Sequence, residues 1–320
     1  MNLLHRGLLL ALLLPTLPTF GAPPITNEVI LERIGNHPIE AHFDLPYAGN
    51  TNPRQMVDLY VPKNRTVTTP LPVVVFIHGG AWIGGDRKSA AGALGGLLLN
   101  ANYAGISVGY RMSTEAKWPA QIYDCKAAIR WIRGNAAKYN LDPDRIAVWG
   151  GSAGGHLVSL LGTSGGVKEL EGDLGPFTSQ SSKVTCVVNF CGPEDLTLPL
   201  MNKDGQMVSA LDDPAVVGLL GEGDRTVSGK AASPVTYVSA DDPPVLTAHG
   251  TKDLRVSFEH ATLIDKALKQ AAVTSLLIPL TNGGHNFHSD ELNKRIFQYL
   301  EWQLRGVKSE ISTEPILVGP

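Results

Sequence analysis

Four short segments of the 320-residue chain carry residues whose types and spacing could do nucleophilic acyl-transfer chemistry. The first is Gly150-Gly151-Ser152-Ala153-Gly154. It follows a strand-like run at 145–149 and precedes a helix-like run from 153. A G-x-S-x-G turn needs that setting to hold a serine on a sharp strand-to-helix bend with its hydroxyl exposed. The helix start behind it would favour developing negative charge. A glycine-rich turn with a serine helix cap would look the same, so this segment settles little by itself. The second is His78-Gly79-Gly80-Ala81-Trp82, directly after the apolar run 73–77. Small residues there let backbone N–H groups reach the oxyanion of a tetrahedral intermediate. Gly80 and Ala81, with the N–H of Ala153, are the candidate oxyanion hole. His78 reads as structural. Trp82 is placed either in the wall of a substrate pocket, as a substrate-binding residue, or in the packing beneath it.

The third and fourth segments supply an acid and a base. Asp253 lies in His249-Gly250-Thr251-Lys252-Asp253-Leu254-Arg255-Val256, and His285 in Gly283-Gly284-His285-Asn286-Phe287. Both follow strand-like runs, and the chain order Ser, Asp, His is one that a serine triad on a parallel sheet uses. His285 would take the Ser152 proton and return it to the leaving group; Asp253 would fix the imidazole tautomer and stabilise its charged form. Other residues compete for these roles. His288 is close to His285 in sequence. His156 sits one helical turn after Ser152 and reads as a packing residue. His249 reads as support for the acid loop. Asp241 and Asp242 precede their strand, the wrong end for catalysis.

The elements that must position these residues alternate along the chain. Strands are expected at 29–31, 56–61, 72–77, 104–110, 145–149, 183–190, 244–248 and 274–278. Helices are expected at 119–138, 153–161, 258–271 and 292–304. Such alternation predicts a parallel α/β sheet with helices on both faces and reactive groups at the carboxyl ends of its strands. Between 193 and 233 the alternation lapses into a polar, Gly- and Asp-rich stretch with one short helical run at 213–220. It reads as a short cap insertion, and the tail from Gly306 as loosely attached.

Composition narrows the class. With 43% hydrophobic and 18% charged residues the chain is globular rather than disordered. A net charge of −3 and the lack of any basic run argue against a nucleic-acid partner. Residues 1–21 have a basic start, a leucine-rich core and a small-residue end, the layout of a signal peptide cleaved after Gly21. The expected mature chain, 22–320, is then a single secreted or periplasmic domain, with no run long enough for the ~20 residues of a membrane span. Three cysteines, Cys125, Cys186 and Cys191, leave at least one unpaired. If 183–190 is extended, Cys186 and Cys191 are about 16 Å apart, too far for a bridge that needs roughly 7 Å or less. Cys125 could pair with either; buried free thiols are the default. No Cys/His cluster has zinc-ligand spacing.

Taken together, HGGAW, GGSAGGHL, the run from SPVTYV to DDPPVLTAHGTKDLRV, GGHNF and WPAQIYDCKAAIRWIR at 118–133 resemble the bacterial carboxylesterases near hormone-sensitive lipase. The resemblance is nearest to a feruloyl-esterase-like or acetylesterase-like branch and runs from about residue 50 to 305. It implies the α/β-hydrolase fold with a mostly parallel eight-stranded central sheet. It also implies ester hydrolysis through an acyl-enzyme, with neither metal nor organic cofactor. The substrates would be short-chain acyl, acetyl or hydroxycinnamoyl esters, on small molecules or linked to carbohydrate. The chain departs from the pattern at Ala81, where a third glycine is usual, at Gly151, where lipases often have aspartate, and in its short 193–233 segment, which argues against long acyl chains. Peptidases and formamidases share the sheet and the triad chemistry. A non-catalytic binding protein on this fold would normally lack one of these residues. Oligomeric state is left open.

Overall fold

Apolar runs that alternate with amphipathic helices collapse into a sheet covered on both faces, because each strand then buries both rows of side chains. The computed structural model describes residues 25–65, 67–99, 102–201 and 206–319; the expected signal peptide lies outside them. The strands of the main sheet are β1 (Ile39–Pro46), β2 (Met56–Pro62), β3 (Leu71–Ile77), β4 (Ala104–Val108), β5 (Leu141–Gly151), β6 (Cys186–Phe190), β9 (Val245–Gly250), β10 (Ser275–Thr281) and β11 (Ile316–Leu317). Two further strands, β7 (Leu200–Met201) and β8 (Met207–Val208), form a separate antiparallel pair. The main sheet runs β1-β2-β4-β3-β5-β6-β9-β10-β11. β1 pairs antiparallel with β2 and β2 with β4; every other pair is parallel. β3 and β4 are buried along their whole length, as the unbroken apolar runs require.

The helices are α1 (Asn27–Ile34), α2 (Ala90–Leu99), α3 (Ala120–Gly134), α4 (Ala136–Tyr139), α5 (Ala153–Thr163), α6 (Lys168–Glu171), α7 (Pro214–Leu220), α8 (Arg225–Ala231), α9 (Glu259–Gln270) and α10 (Asp290–Arg305). One core cluster joins the sheet to α3, α5 and α9; a second joins its other face to α1, α2 and α10. α10 shows how sequence selects the face. Leu292, Ile296, Tyr299, Leu300 and Leu304 recur at helical spacing and are buried, and Ser289 caps the first turn by accepting from the Leu292 N–H.

Three expectations need correction. Residues 29–31 are helical, not extended: Thr26 caps α1, and of the apolar triplet Ile30 is buried while Leu31 is 52% exposed. The first strand is β1, whose Ile39, Ala41 and Phe43 pack on one core while Leu45 packs on the other after a register shift between His42 and Leu45. Among the described residues the sheet has nine strands rather than eight. The added one comes from the tail, which is not loose: Ile311, Ile316 and Val318 are buried, β11 pairs with β10, and the Arg295 guanidinium donates to the carbonyls of Ser312 and Glu314. The insertion 193–233 holds α8 besides the expected helix, here α7. All three cysteines are buried free thiols.

Candidate active site

β5 ends at Gly151, and Ser152 follows with φ 56° and ψ −123°, a backbone conformation that costs a non-glycine residue of order 1–3 kcal/mol. The bend survives because it is locked from three sides. The Ser152 N–H donates to the Phe190 carbonyl at 2.8 Å. A Cβ on Gly150 would lie 2.4 Å from the Gly154 carbonyl oxygen, and one on Gly154 only 2.1 Å from that of Ile77. The strand, the turn and the first turn of α5 therefore close-pack only with glycine at both positions.

The two later segments meet this serine. The Ser152 hydroxyl donates to His285 Nε2 at 3.0 Å, and His285 Nδ1–H donates to Asp253 Oδ2 at 2.7 Å. Asp253 leaves β9 and His285 leaves β10, so the three residues come from the carboxyl ends of three strands. The other Asp253 oxygen accepts from the backbone N–H groups of Arg255 and Val256 at 2.7 and 2.9 Å, and His249 Nε2 lies 3.3 Å from Oδ2. Burial works against the Asp253 charge, but the hydrogen bonds from His249 and His285 more than offset it and hold the carboxyl well below its ordinary range. Burial likewise opposes a charge on His285, and Cys191 together with the Asp253 carboxylate outweighs that and raises its pKa above the ordinary 6.5. Such a pair accepts a proton at His285 while Asp253 stays anionic.

The 79–82 loop lies against the serine: a Cβ on Gly79 would meet the Gly151 carbonyl oxygen at 2.7 Å and Ser152 Cβ at 3.3 Å. Gly80, Ala81 and Trp82 all have positive φ, 118°, 52° and 59°, so the chain turns tightly through the left-handed region beside the serine. Among the described residues, no protein acceptor is bonded to the N–H of Gly80, Ala81 or Ala153. Ala153 begins α5, where an N–H has no acceptor within its own helix.

His78, His156 and His288 have other surroundings. His78 Nδ1–H donates to the Gly79 carbonyl, its ring stacks on Tyr110 at 4.4 Å, and burial lowers its pKa to about 4. His156 accepts from the Trp82 indole and donates to the Ala232 carbonyl. Trp82 is only 3% exposed and its indole N–H is held by His156, so its ring packs within the protein beside the loop. His288 lies on the surface near Asp290. Two neighbours went unnoticed in the sequence. Cys191, with φ 41° at the exit of β6, donates its thiol to the His285 carbonyl at 3.4 Å. Arg255 pairs with Asp213, the N-cap of α7, at 2.8 Å, which ties the 193–233 insertion to the acid loop. Strand-exit position was the available signal for Cys191; a pair 42 residues apart in sequence leaves none. Cys191, Asp253 and His285 offer ligand atoms within 4.8 Å of one another. A metal there would have to displace the Asp253–His285 bond, so the set is a poor resident site.

Fold and site together define an α/β-hydrolase. The pattern of the BD-FAE family matches residues 57–268, and the chain belongs to that family. It is 30% identical over 254 residues to Esterase LipQ of Mycobacterium tuberculosis, covering 76% of this chain and 56% of that one. The chain thus spans little more than half the length of that relative. Among solved structures it is 33% identical to a truncated form of a carbohydrate esterase from gut microbiota, with a TM-score of 0.71 over 78% of this chain and 91% of that one. It is also 33% identical to a bifunctional GH43-CE of Bacteroides eggerthii, with a TM-score of 0.74 over 82% of this chain and 38% of that one. Among the described residues no helix is long and apolar enough to cross a membrane.

Proposed function

We propose that this protein hydrolyses carboxylic esters through an acyl-enzyme on Ser152, with His285 as general base and acid and Asp253 as its orienting carboxylate. The observation that carries this reading is the bonded chain from Ser152 Oγ through His285 to Asp253, beside three N–H groups bonded to no protein acceptor among the described residues. Ser152 Oγ attacks the ester carbonyl carbon as its proton passes to His285 Nε2. The negative oxygen is received by the N–H groups of Gly80, Ala81 and Ala153, each such donor being worth about 10²–10³ in kcat. The C–O bond then breaks and the alcohol leaves with the proton from His285. Water repeats the sequence and releases the acid. Export of the chain rests on the residues of 1–21 alone.

The substrate class follows from shape and kinship. The short insertion argues for short acyl groups, acetyl or hydroxycinnamoyl among them. The names of two similar solved proteins, a carbohydrate esterase and a GH43-CE, favour esters carried on carbohydrate, plant polysaccharide included. A panel of p-nitrophenyl esters of rising chain length, methyl ferulate, acetylated xylan, N-formylkynurenine and prolyl peptides tests this. Turnover should be greatest on acetyl to butyryl or feruloyl esters. Faster cleavage of the formamide or the peptides would overturn the ester reading.

A further inference from the structure

Asp253 holds contacts beyond the His285 bond, and the one from His249 leads away from the site. Asn189 on β6 lies opposite Thr247 on β9, and His249 follows on the same side of β9. That side faces α5 and α9, because Val187 and Val245, the next residues inward on the two strands, pack in the cluster those helices share. Ser159 of α5, His260 of α9 and Glu194 complete a buried polar group there. Ser159 and Asn189 both donate to one oxygen of Glu194, which fixes the chain where the insertion leaves β6.

The proton positions on the two rings are forced. The backbone N–H groups of Glu194 and Asp195 donate to His260 Nδ1 at 3.0 and 3.4 Å. Nδ1 is therefore unprotonated, and a neutral ring carries its proton on Nε2. His249 Nε2 lies 2.9 Å from the Val256 carbonyl and 3.3 Å from Asp253 Oδ2, two acceptors, so it carries the proton and Nδ1 is bare. Both rings are fully buried, and neither His260 Nε2 nor His249 Nδ1 has a protein partner within bonding distance among the described residues. One is a donor and the other an acceptor, and burying either without a partner is unfavourable. Burial first, and then the His249 ring, hold the His260 pKa down to about 4, so His260 is neutral. Phe258, at the start of α9 two residues before His260, packs edge-on to the His249 ring at 5.8 Å, which brings the two histidines to the same place.

We propose that His260 Nε2–H reaches His249 Nδ1 across one buried water shared with Thr247, whose hydroxyl is likewise without a protein partner among the described residues, and that His249 is thereby a positioning residue for Asp253. The relay rests on the triad reading above. It begins at two backbone N–H groups at the entry of the insertion and ends at the oxygen that His285 uses. Its effect is on tautomer: a donor at His249 Nδ1 disfavours the form that would turn a lone pair toward Asp253 Oδ2. The carboxylate then keeps one rotamer and presents it to His285.

His260→Gln and His260→Met test this with side chains of equal length. The Gln amide can accept from Glu194 and Asp195 and donate toward His249; Met can do neither. His260→Met should lower kcat on a p-nitrophenyl ester about tenfold at unchanged KM and shift the low-field proton resonance of His285 Nδ1–H. His260→Gln should keep kcat within about twofold and the resonance in place. Wild-type kcat and an unmoved resonance in the Met variant, or equal losses in both, would overturn the relay. Should the Met variant not fold, nitrogen–proton correlation spectra of the wild-type protein serve. They should show Nε2–H on both His249 and His260, and Nδ1–H on either is contrary. Ser152→Ala in the same assay separates the two claims. Activity surviving that change sinks the triad itself, whereas an inactive Ser152→Ala beside a fully active His260→Met sinks only the relay.

Discussion

Ser152→Ala should fold as the wild type does and lose ester hydrolysis by about 10⁶ in kcat, the scale expected when a serine nucleophile is removed. The fold is spared because alanine keeps Cβ and so inherits the same bend at φ 56°. What holds that bend is backbone: the Ser152 N–H on the Phe190 carbonyl and the contacts at Gly150 and Gly154. The serine hydroxyl makes no helix-capping bond, so its loss removes only the link to His285. Hydrolysis left in the variant would come from the oxyanion donors and substrate binding. Circular dichroism and thermal unfolding, read beside p-nitrophenyl acetate turnover, separate loss of chemistry from loss of fold. A variant with unfolding unchanged and turnover within tenfold of wild type contradicts the role given to Ser152.

Asp253→Asn comes second, at about 10⁴ in kcat with KM little changed. An amide in that place can turn N–H toward His285 Nδ1 and favour the tautomer whose proton lies on Nε2, facing Ser152. That ring cannot accept the serine proton. The pH profile should move as well. His285 is raised above 6.5 by neighbours that outweigh burial, so its charged, inactive form persists to higher pH than in a free imidazole. In the wild type kcat/KM should therefore fall as pH drops through a value above 6.5. Without the Asp253 carboxylate the same limb should lie at lower pH, in the residual activity of the variant. A limb that stays in place, or moves up, would mean that Asp253 is not what raises His285.

How much of this could be read in the sequence depended on where the constraint acts. Gly150 and Gly154 are written in by contacts within a few residues of the serine and with the strand beside it, so the turn announces itself locally. Asp253 and His285 were legible because each follows an apolar strand run by a few residues. The edges of the sheet were less legible. Ile39, Ala41 and Phe43 alternate with polar residues as a half-buried strand should, yet the apolar triplet at 29–31 competed for the role; the Thr26 cap makes that stretch a helix. The tail reads as polar until Arg295 and β10 are seen to hold it. Trp82, in the loop beside the serine, could face either way in sequence, and its burial against His156 places it inside. The bond from Glu194 to His260 joins residues 66 apart, so nothing local records it.

Covalent labelling tests the central claim most directly. The pure protein would be treated with a fluorophosphonate, digested and mapped by mass spectrometry. The expected result is one phosphonyl group per chain, carried on Ser152 and absent from Ser152→Ala. An unlabelled protein that still hydrolyses esters, or a label on any other residue, would contradict Ser152 as the nucleophile.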